Sequence, residues 1–270
     1  MRKLNGKIKL SGLGLHSGKE CCVTIEPYDT PEVILRTGNE ESPLRHLKTD
    51  GTKRGSDYIF PDGERVRTCE HVFSALCGTG VFSGVRITVD GGEMPALDGC
   101  AKCVTEAIMS NSDIADTGIE HRMLCEPLMV SSEDGKRFAC AFPCNEFRIT
   151  YTVEYPYVGV QTFDYTGGMN YAEEIAPART FAMKSEVEYL RSHGMALGGT
   201  LENAILIGEV IEANGGLHWE NEFVRHKVLD LIGDIYSTGY PMKAHIIAMR
   251  AGHDIHLRLA EKMKGAMNCA

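Results

Sequence analysis

The sequence predicts an α+β protein, and three features of the 270-residue chain carry that reading. Hairpin-punctuated β-rich runs open both halves of the chain. Helical periodicity is confined to segregated segments. Neither half shows the regular alternation of strand and helix that a parallel βαβ fold requires.

The elements follow in order. "KIKLSGLGLHSGKECCVTIEP" reads as two β-rich runs joined by a glycine-rich connection, and "YIFPDGERVRT" as a hairpin turning at Pro61, Asp62 and Gly63. "CEHVFSALCG" predicts a short helix with Thr68 as N-cap and Gly78 as its stop. "GVRITVDGGEMPALDGCA" predicts a strand with a Gly/Pro loop, leading into the helix "CVTEAIMSN", so that one unit closes near residue 117. "MLCEPLMVSSEDGKRFACAFP" and "EFRITYTVEYP" open the second unit with hairpin-like runs. Helices are predicted at "SEVEYLRSHG" and across residues 220–238, then a strand at "AHIIAMRAGH" and a closing helix at "DIHLRLAEKMKGAM". Two domains are expected, 1–117 and 118–270.

Composition narrows the function. With 43% hydrophobic and 24% charged residues the chain is an ordinary globular protein. A net charge of −9 argues against a nucleic-acid partner, whose binding would rest on a basic surface, but leaves room for a small anionic substrate held by local cations. "MRKLNGKIKL" lacks an apolar signal region, and no run has the length of a membrane span. A cytoplasmic, soluble protein without stable membrane insertion, a monomer, with its ten cysteines reduced, is therefore expected.

The sharpest chemical signal is "RHKVLDLIGD", residues 225–234. On a helix at about 100° per residue, His226, Asp230, Asp234 and Lys227 fall at roughly 0°, 40°, 80° and 100°, while apolar residues fill most of the rest. One polar line on an otherwise apolar helix points into a cleft. Buried charges need partners, so the four groups satisfy either each other, in an internal salt-bridge network, or a metal ion.

Other candidates are weaker alone. "GLGLHSGKE" fails the Walker spacing, because Gly18-Lys19 is followed by Glu20; His16 is left as either a ligand contact or a solvated loop histidine. Glu70-His71 sits in the first turn of a predicted helix. It reads either as a metal ligand beside a carboxylate that faces the ion's water, or as a dipole-complementing Glu beside a partly buried His. His226 and Asp230, four apart, share one helix face, and His71 would complete the two-His, one-carboxylate set common at catalytic zinc. His253 would remain as an acid or base.

Seven segments in this order, "GLGLHSGK", "TCEHVFSAL", "EMPALDG", "ARTF", "LGGTLENA", "RHKVLDLIGD" and "AGH", make the chain resemble the UDP-3-O-acyl-N-acetylglucosamine deacetylases, zinc enzymes of lipid A biosynthesis. The resemblance covers most of the chain. It implies two layered sheet-and-helix domains of similar fold with the zinc site between them, one Zn²⁺ per chain, and an acylated UDP-sugar as substrate. It implies His71, His226 and Asp230 as zinc ligands, Glu70 as general base, and His253 as the second catalytic histidine, oriented by Asp234. Thr180 and Lys227 would stabilise the transition state, Phe181 would pack on the sugar, and His16 would lie in the substrate cleft. Residues 194–219 would form the inserted βαβ element around the acyl chain, although their apolar side chains read equally well as core.

Two positions depart from the family pattern. Phe142 stands where a lysine is expected before a proline, and His256 where an asparagine is expected; the region from about 36 to 60 also aligns poorly. These departures bear on recognition of the nucleotide. They keep two alternatives open: a zinc amidohydrolase acting on another N-acetylated nucleotide sugar, and a non-catalytic ligand-binding homologue.

Overall fold

The computed structural model describes residues 1–52 and 54–269. Its architecture is α+β, as expected. Five strands, β1 (Ile8–Leu13), β2 (Glu20–Pro27), β3 (Val33–Thr37), β4 (Glu40–Pro43) and β5 (Val85–Asp90), form one sheet in the order β1-β2-β5-β3-β4. Only the β3/β5 pairing is parallel. Helices α1 (Glu70–Thr79) and α2 (Lys102–Ser110) accompany it.

The second sheet draws on β6 (Arg122–Leu124), β7 (Leu128–Ser131), β8 (Phe138–Pro143), β9 (Phe147–Tyr155), β10 (Gly159–Thr166), β13 (Met242–Met249) and β14 (Met267–Cys269). Strand β13 lies at its middle, antiparallel to β8 and parallel to β9. Its sequence MKAHIIAM alternates strictly: Met242, Ala244, Ile246 and Ala248 are buried, and their neighbours are less so. Between the hairpin β9/β10 and the last helices, β11 (Phe181–Met183) and β12 (Ile205–Ile207) pair in parallel around α3 (Val187–Ser192). The long helices are α4 (Glu222–Ile235) and α5 (His253–Ala266). Among the described residues no helix is long and apolar enough to cross a membrane.

One contact sets the functional geometry. Helix α1 packs on α4, and Gly233, inside α4, lies so close to α1 that a Cβ there would be 2.0 Å from the carbonyl oxygen of Glu70. A mid-helix glycine costs about 1 kcal/mol relative to alanine, and this one is retained because only its bare backbone admits the start of α1. Gly233 lies at the edge of the same stripe as His226 and Asp230, so the close approach lays Glu70-His71 beside that stripe.

Three expectations change. Thr68 does not cap α1: its backbone has φ +55° and its hydroxyl donates to Glu93 Oε1 at 3.0 Å. The helix runs through Gly78 to stop at Gly80, which adopts the left-handed conformation. Gly78 serves packing instead, since a Cβ there would fall 2.3 Å from the Tyr171 ring. The strand–helix–strand unit expected within 194–219 begins earlier, at Phe181, and only β12 lies inside that range.

Candidate active site

A cavity of about 920 Å³ is lined by Glu70, His71, Thr180, Phe181, His226, Lys227, Asp230, His253 and His16, from segments spread over the whole chain. Each is placed by a local cause. Glu70 and His71 open α1; His226, Lys227 and Asp230 share the α4 face; His253 opens α5 after Gly252. Thr180 is fixed through its backbone, its N–H donating to Gly99 and its carbonyl accepting from Ile205.

His71 Nε2, His226 Nε2 and Asp230 Oδ1 converge, with all three ligand atoms within 4.8 Å of one another. His226 Nδ1–H donates to the Ala178 carbonyl at 3.0 Å, which leaves the Nε2 lone pair facing the centre. Burial, and then the neighbouring His226, push the His71 pKa down to about 3, and burial lowers that of His226, so both rings are neutral as ligands must be. Asp230 Oδ1 is buried with no hydrogen-bond partner among the described residues, while its Oδ2 accepts from Lys227 Nζ at 2.7 Å. An orphaned carboxylate oxygen between two neutral imidazole nitrogens fits a divalent metal. A second trio, Asp234, His253 and His256, is equally compact, but its ring Nδ1 atoms already donate to Asp234 Oδ2, at 2.9 and 2.7 Å.

Two titratable groups flank the trio. Burial raises the Glu70 carboxyl to about 7, and its Oε2 accepts from Ser56 N–H at 2.9 Å. Burial would lower the His253 pKa, but the Asp234 and Asp230 carboxylates more than offset it and lift the imidazolium to about 9. Asp234 itself lies outside the cavity, behind His253, where its Oδ1 accepts from the Ser56 hydroxyl. Phe181 stacks edge-on against His226, 5.8 Å between centroids, and the Lys227 ammonium lies 5.4 Å from the Phe181 ring centre.

The sequence model of the LpxC family, UDP-3-O-acyl N-acetylglycosamine deacetylase, matches residues 1–265. The chain belongs to this family. Among its relatives are the UDP-3-O-acyl-N-acetylglucosamine deacetylases of Thermosynechococcus vestitus (36% identical, covering 96% of this chain and 92% of the relative), Trichormus variabilis (34%, covering 96% of each) and Myxococcus xanthus (35%, covering 99% and 87%).

Against the deacetylase pattern, the two departures fall outside the cavity. Phe142 is 38% exposed on the outer face of β8, opposite His245, because its buried neighbours Ala139 and Ala141 take the inner face of the alternation. The doubt it raised about the sugar pocket finds no contact in that cavity. His256 is fully buried, holding Asp234 with Nδ1 and lying 2.8 Å from the Tyr151 hydroxyl with Nε2. It supports the acid behind His253 and does not reach the cavity.

Sequence reasoning missed two positioning residues. Ser56 holds both Glu70 and Asp234, and sits in the 36–60 region that carried no motif. Glu93 gathers the glycine-rich loop: the N–H groups of His16 and Ser17 donate to its carboxylate at 2.7 and 2.9 Å. That loop cradles an anion after all, an internal one. His16 is thereby set at the cavity wall, its Nδ1 accepting from Ala196 N–H at 3.3 Å. Within the 194–219 stretch, Ile205 and Ile207 enter a small core with Phe223, whereas Leu201, Ala204 and Leu206 line the cavity. Some of its apolar side chains are therefore core and others face the cavity.

Proposed function

We propose that the chain hydrolyses the N-acetyl group of UDP-3-O-(3-hydroxyacyl)-N-acetylglucosamine, giving acetate and the free 2-amine, as a step of lipid A biosynthesis. One Zn²⁺ per chain is held by His71, His226 and Asp230. The observation that carries this reading is the orphaned Asp230 Oδ1 between two neutral imidazoles, with a carboxyl near pKa 7 and an imidazole near 9 on either side. Bound zinc supplies Lewis acidity toward the water and the amide carbonyl. Glu70 takes the proton of the attacking water, a task suited to a group that titrates near neutrality. His253 is protonated at neutral pH, fixed at Nδ1 by Asp234, and directs Nε2–H toward the leaving nitrogen. The Thr180 hydroxyl donates to the developing oxyanion, and Lys227 adds positive charge beside it. Phe181 packs on the sugar, His16 borders its cleft, and the acyl chain runs along Leu201, Ala204 and Leu206.

We also read the chain as two units, 1–117 and 118–270, with the reaction centre between them, and as a cytoplasmic monomer. The test of function is acetate release from the acylated UDP-sugar, with zinc measured on the same sample. Release that chelation abolishes and one zinc equivalent restores is expected. A zinc-loaded protein that releases none refutes the substrate assignment.

A further inference from the structure

We propose that His256 is a positioning residue of the reaction: one imidazole ties down both supports of His253, the Asp234 carboxylate behind its ring and the Ala251 carbonyl in the turn that delivers it. The proposal rests on the function given above, in which His253 protonates the leaving nitrogen. His253 opens α5, and the N-cap Gly252 has no side chain with which to cap that helix. The entry of α5 is held from outside, where the Ala251 carbonyl accepts from the Tyr151 hydroxyl of β9 at 2.8 Å. His256 follows three residues after His253 on the same helix face, with the ring centroids 5.9 Å apart.

The ring has one proton and two neighbours. Burial lowers the His256 pKa, although the Asp234 carboxylate pulls it the other way, so the imidazole is neutral. Burial would raise the Asp234 carboxyl, but the His253 imidazolium and the bonds from both rings more than offset it, so Asp234 is an ionised acceptor. Its Oδ2 therefore takes Nδ1–H of His256 at 2.7 Å beside Nδ1–H of His253 at 2.9 Å, while Oδ1 accepts from the Ser56 hydroxyl. Three donors hold one carboxylate in place. His256 Nε2 is left as an acceptor 2.8 Å from the Tyr151 hydroxyl, whose other neighbour is the Ala251 carbonyl. Burial pushes the Tyr151 phenol well above its ordinary range, so it keeps its proton for these two acceptors. A fully buried imidazole is costly unless both nitrogens are bonded, and here both bonds lead back to His253. The asparagine that the family pattern puts at this position would set its amide nitrogen where Nδ1 lies and keep the bond to Asp234, but it has no atom in the place of Nε2. Leucine fills the space and makes neither bond.

The experiment compares His256→Leu, His256→Asn and Tyr151→Phe by acetate-release kinetics per folded, zinc-loaded molecule, and by the proton resonances of the imidazole N–H groups. His256→Leu is expected to keep its zinc, leave KM within about twofold and lower kcat about tenfold to a hundredfold. His256→Asn is expected to recover kcat to within about fivefold of the parent, because the bond to Asp234 survives. Tyr151→Phe is expected to lower kcat about threefold to tenfold at unchanged KM. A side chain that merely fills the core leaves kcat per folded molecule the same in all three variants, which overturns the proposal. A kcat in His256→Asn as low as in His256→Leu overturns it equally, as does a loss of zinc or a raised KM in His256→Leu, which would make metal or substrate the partner. The two readings fail separately, because the resonances need no turnover. The Nδ1–H protons of His253 and His256, both bonded to Asp234, lie far downfield; His256→Leu is expected to remove one and shift the other, and His256→Asn to leave that of His253 near its parent position. This pattern without acetate release refutes the reaction and keeps the role of His256, whereas acetate release with kcat and the His253 resonance unmoved in His256→Leu does the converse.

Discussion

Helix α4 begins and continues with buried charge, and the two clusters differ in one respect. At its start, Glu222 is fully buried and its carboxylate accepts from Arg179 Nε at 2.9 Å, Arg179 Nη2 at 3.1 Å, Arg179 N–H at 3.1 Å and His218 N–H at 2.7 Å. The Arg179 guanidinium also donates to the carbonyls of Asn214 and Gly216. Two turns later Asp230 is equally buried, yet its Oδ1 has no hydrogen-bond partner among the described residues. Burial of charge therefore does not mark a reaction centre by itself. A saturated pair holds the fold together, whereas an unsatisfied oxygen facing two neutral imidazoles reserves a place for something else.

The largest test removes a proposed metal ligand from the open cluster. His226→Ala is expected to lose most of its zinc and at least about a thousandfold in kcat/KM, measured by metal analysis and acetate release on folded protein. Retained stoichiometric zinc would place the metal elsewhere. The counterpart breaks the closed cluster. Arg179→Met is expected to cost about 3–5 kcal/mol of stability, because it strands a buried carboxylate, while the fraction still folded binds zinc normally; urea unfolding with metal analysis reads both. A loss of zinc without loss of stability would erase the distinction between the clusters.

His253→Ala sharpens the boundary inside the open cluster, with zinc retained and the rate falling about a hundredfold to ten-thousandfold. Metal loss in this variant would show that ligand and acid had been separated wrongly. The next effect depends on pH. Burial alone would raise the Glu222 carboxyl, but its bonds from Arg179 and His218 more than offset that and hold its pKa low. A carboxyl whose folded pKa is depressed contributes stability above its unfolded pKa of about 4.3, and loses it as pH falls through the lower folded value. The stability advantage of the parent over Glu222→Gln should thus be full near neutrality and shrink below about pH 4; an advantage constant down to pH 2 would contradict it. The smallest effect is expected from Phe142→Lys, less than about twofold in KM, because that side chain lies on the outer sheet face away from the cavity.

Much of the site was legible in the chain because helical geometry is local. Spacings of four put His226, Asp230 and Asp234 on one line, and the apolar remainder of α4 required that line to face inward. The alternation in β13 and the hairpins were legible for the same reason. Ser56, Glu93 and the pairing of Arg179 with Glu222 were not, since each acts on groups between 14 and 178 residues away, and no periodicity links such positions. Gly233 carried a readable signal, a glycine inside a helix at the edge of the polar stripe, whose meaning appears only once Glu70 lies against it.

What the sequence by itself determined is the class of chemistry: an inward polar stripe of neutral-capable imidazole and carboxylate, set in a family order of motifs, on α+β elements whose periods are written residue by residue. Only the tertiary structure decided which buried charges close on each other and which stay open. Hydrogen-bond saturation is a count over partners brought together from distant parts of the chain, and that count exists only after the helices and loops have packed.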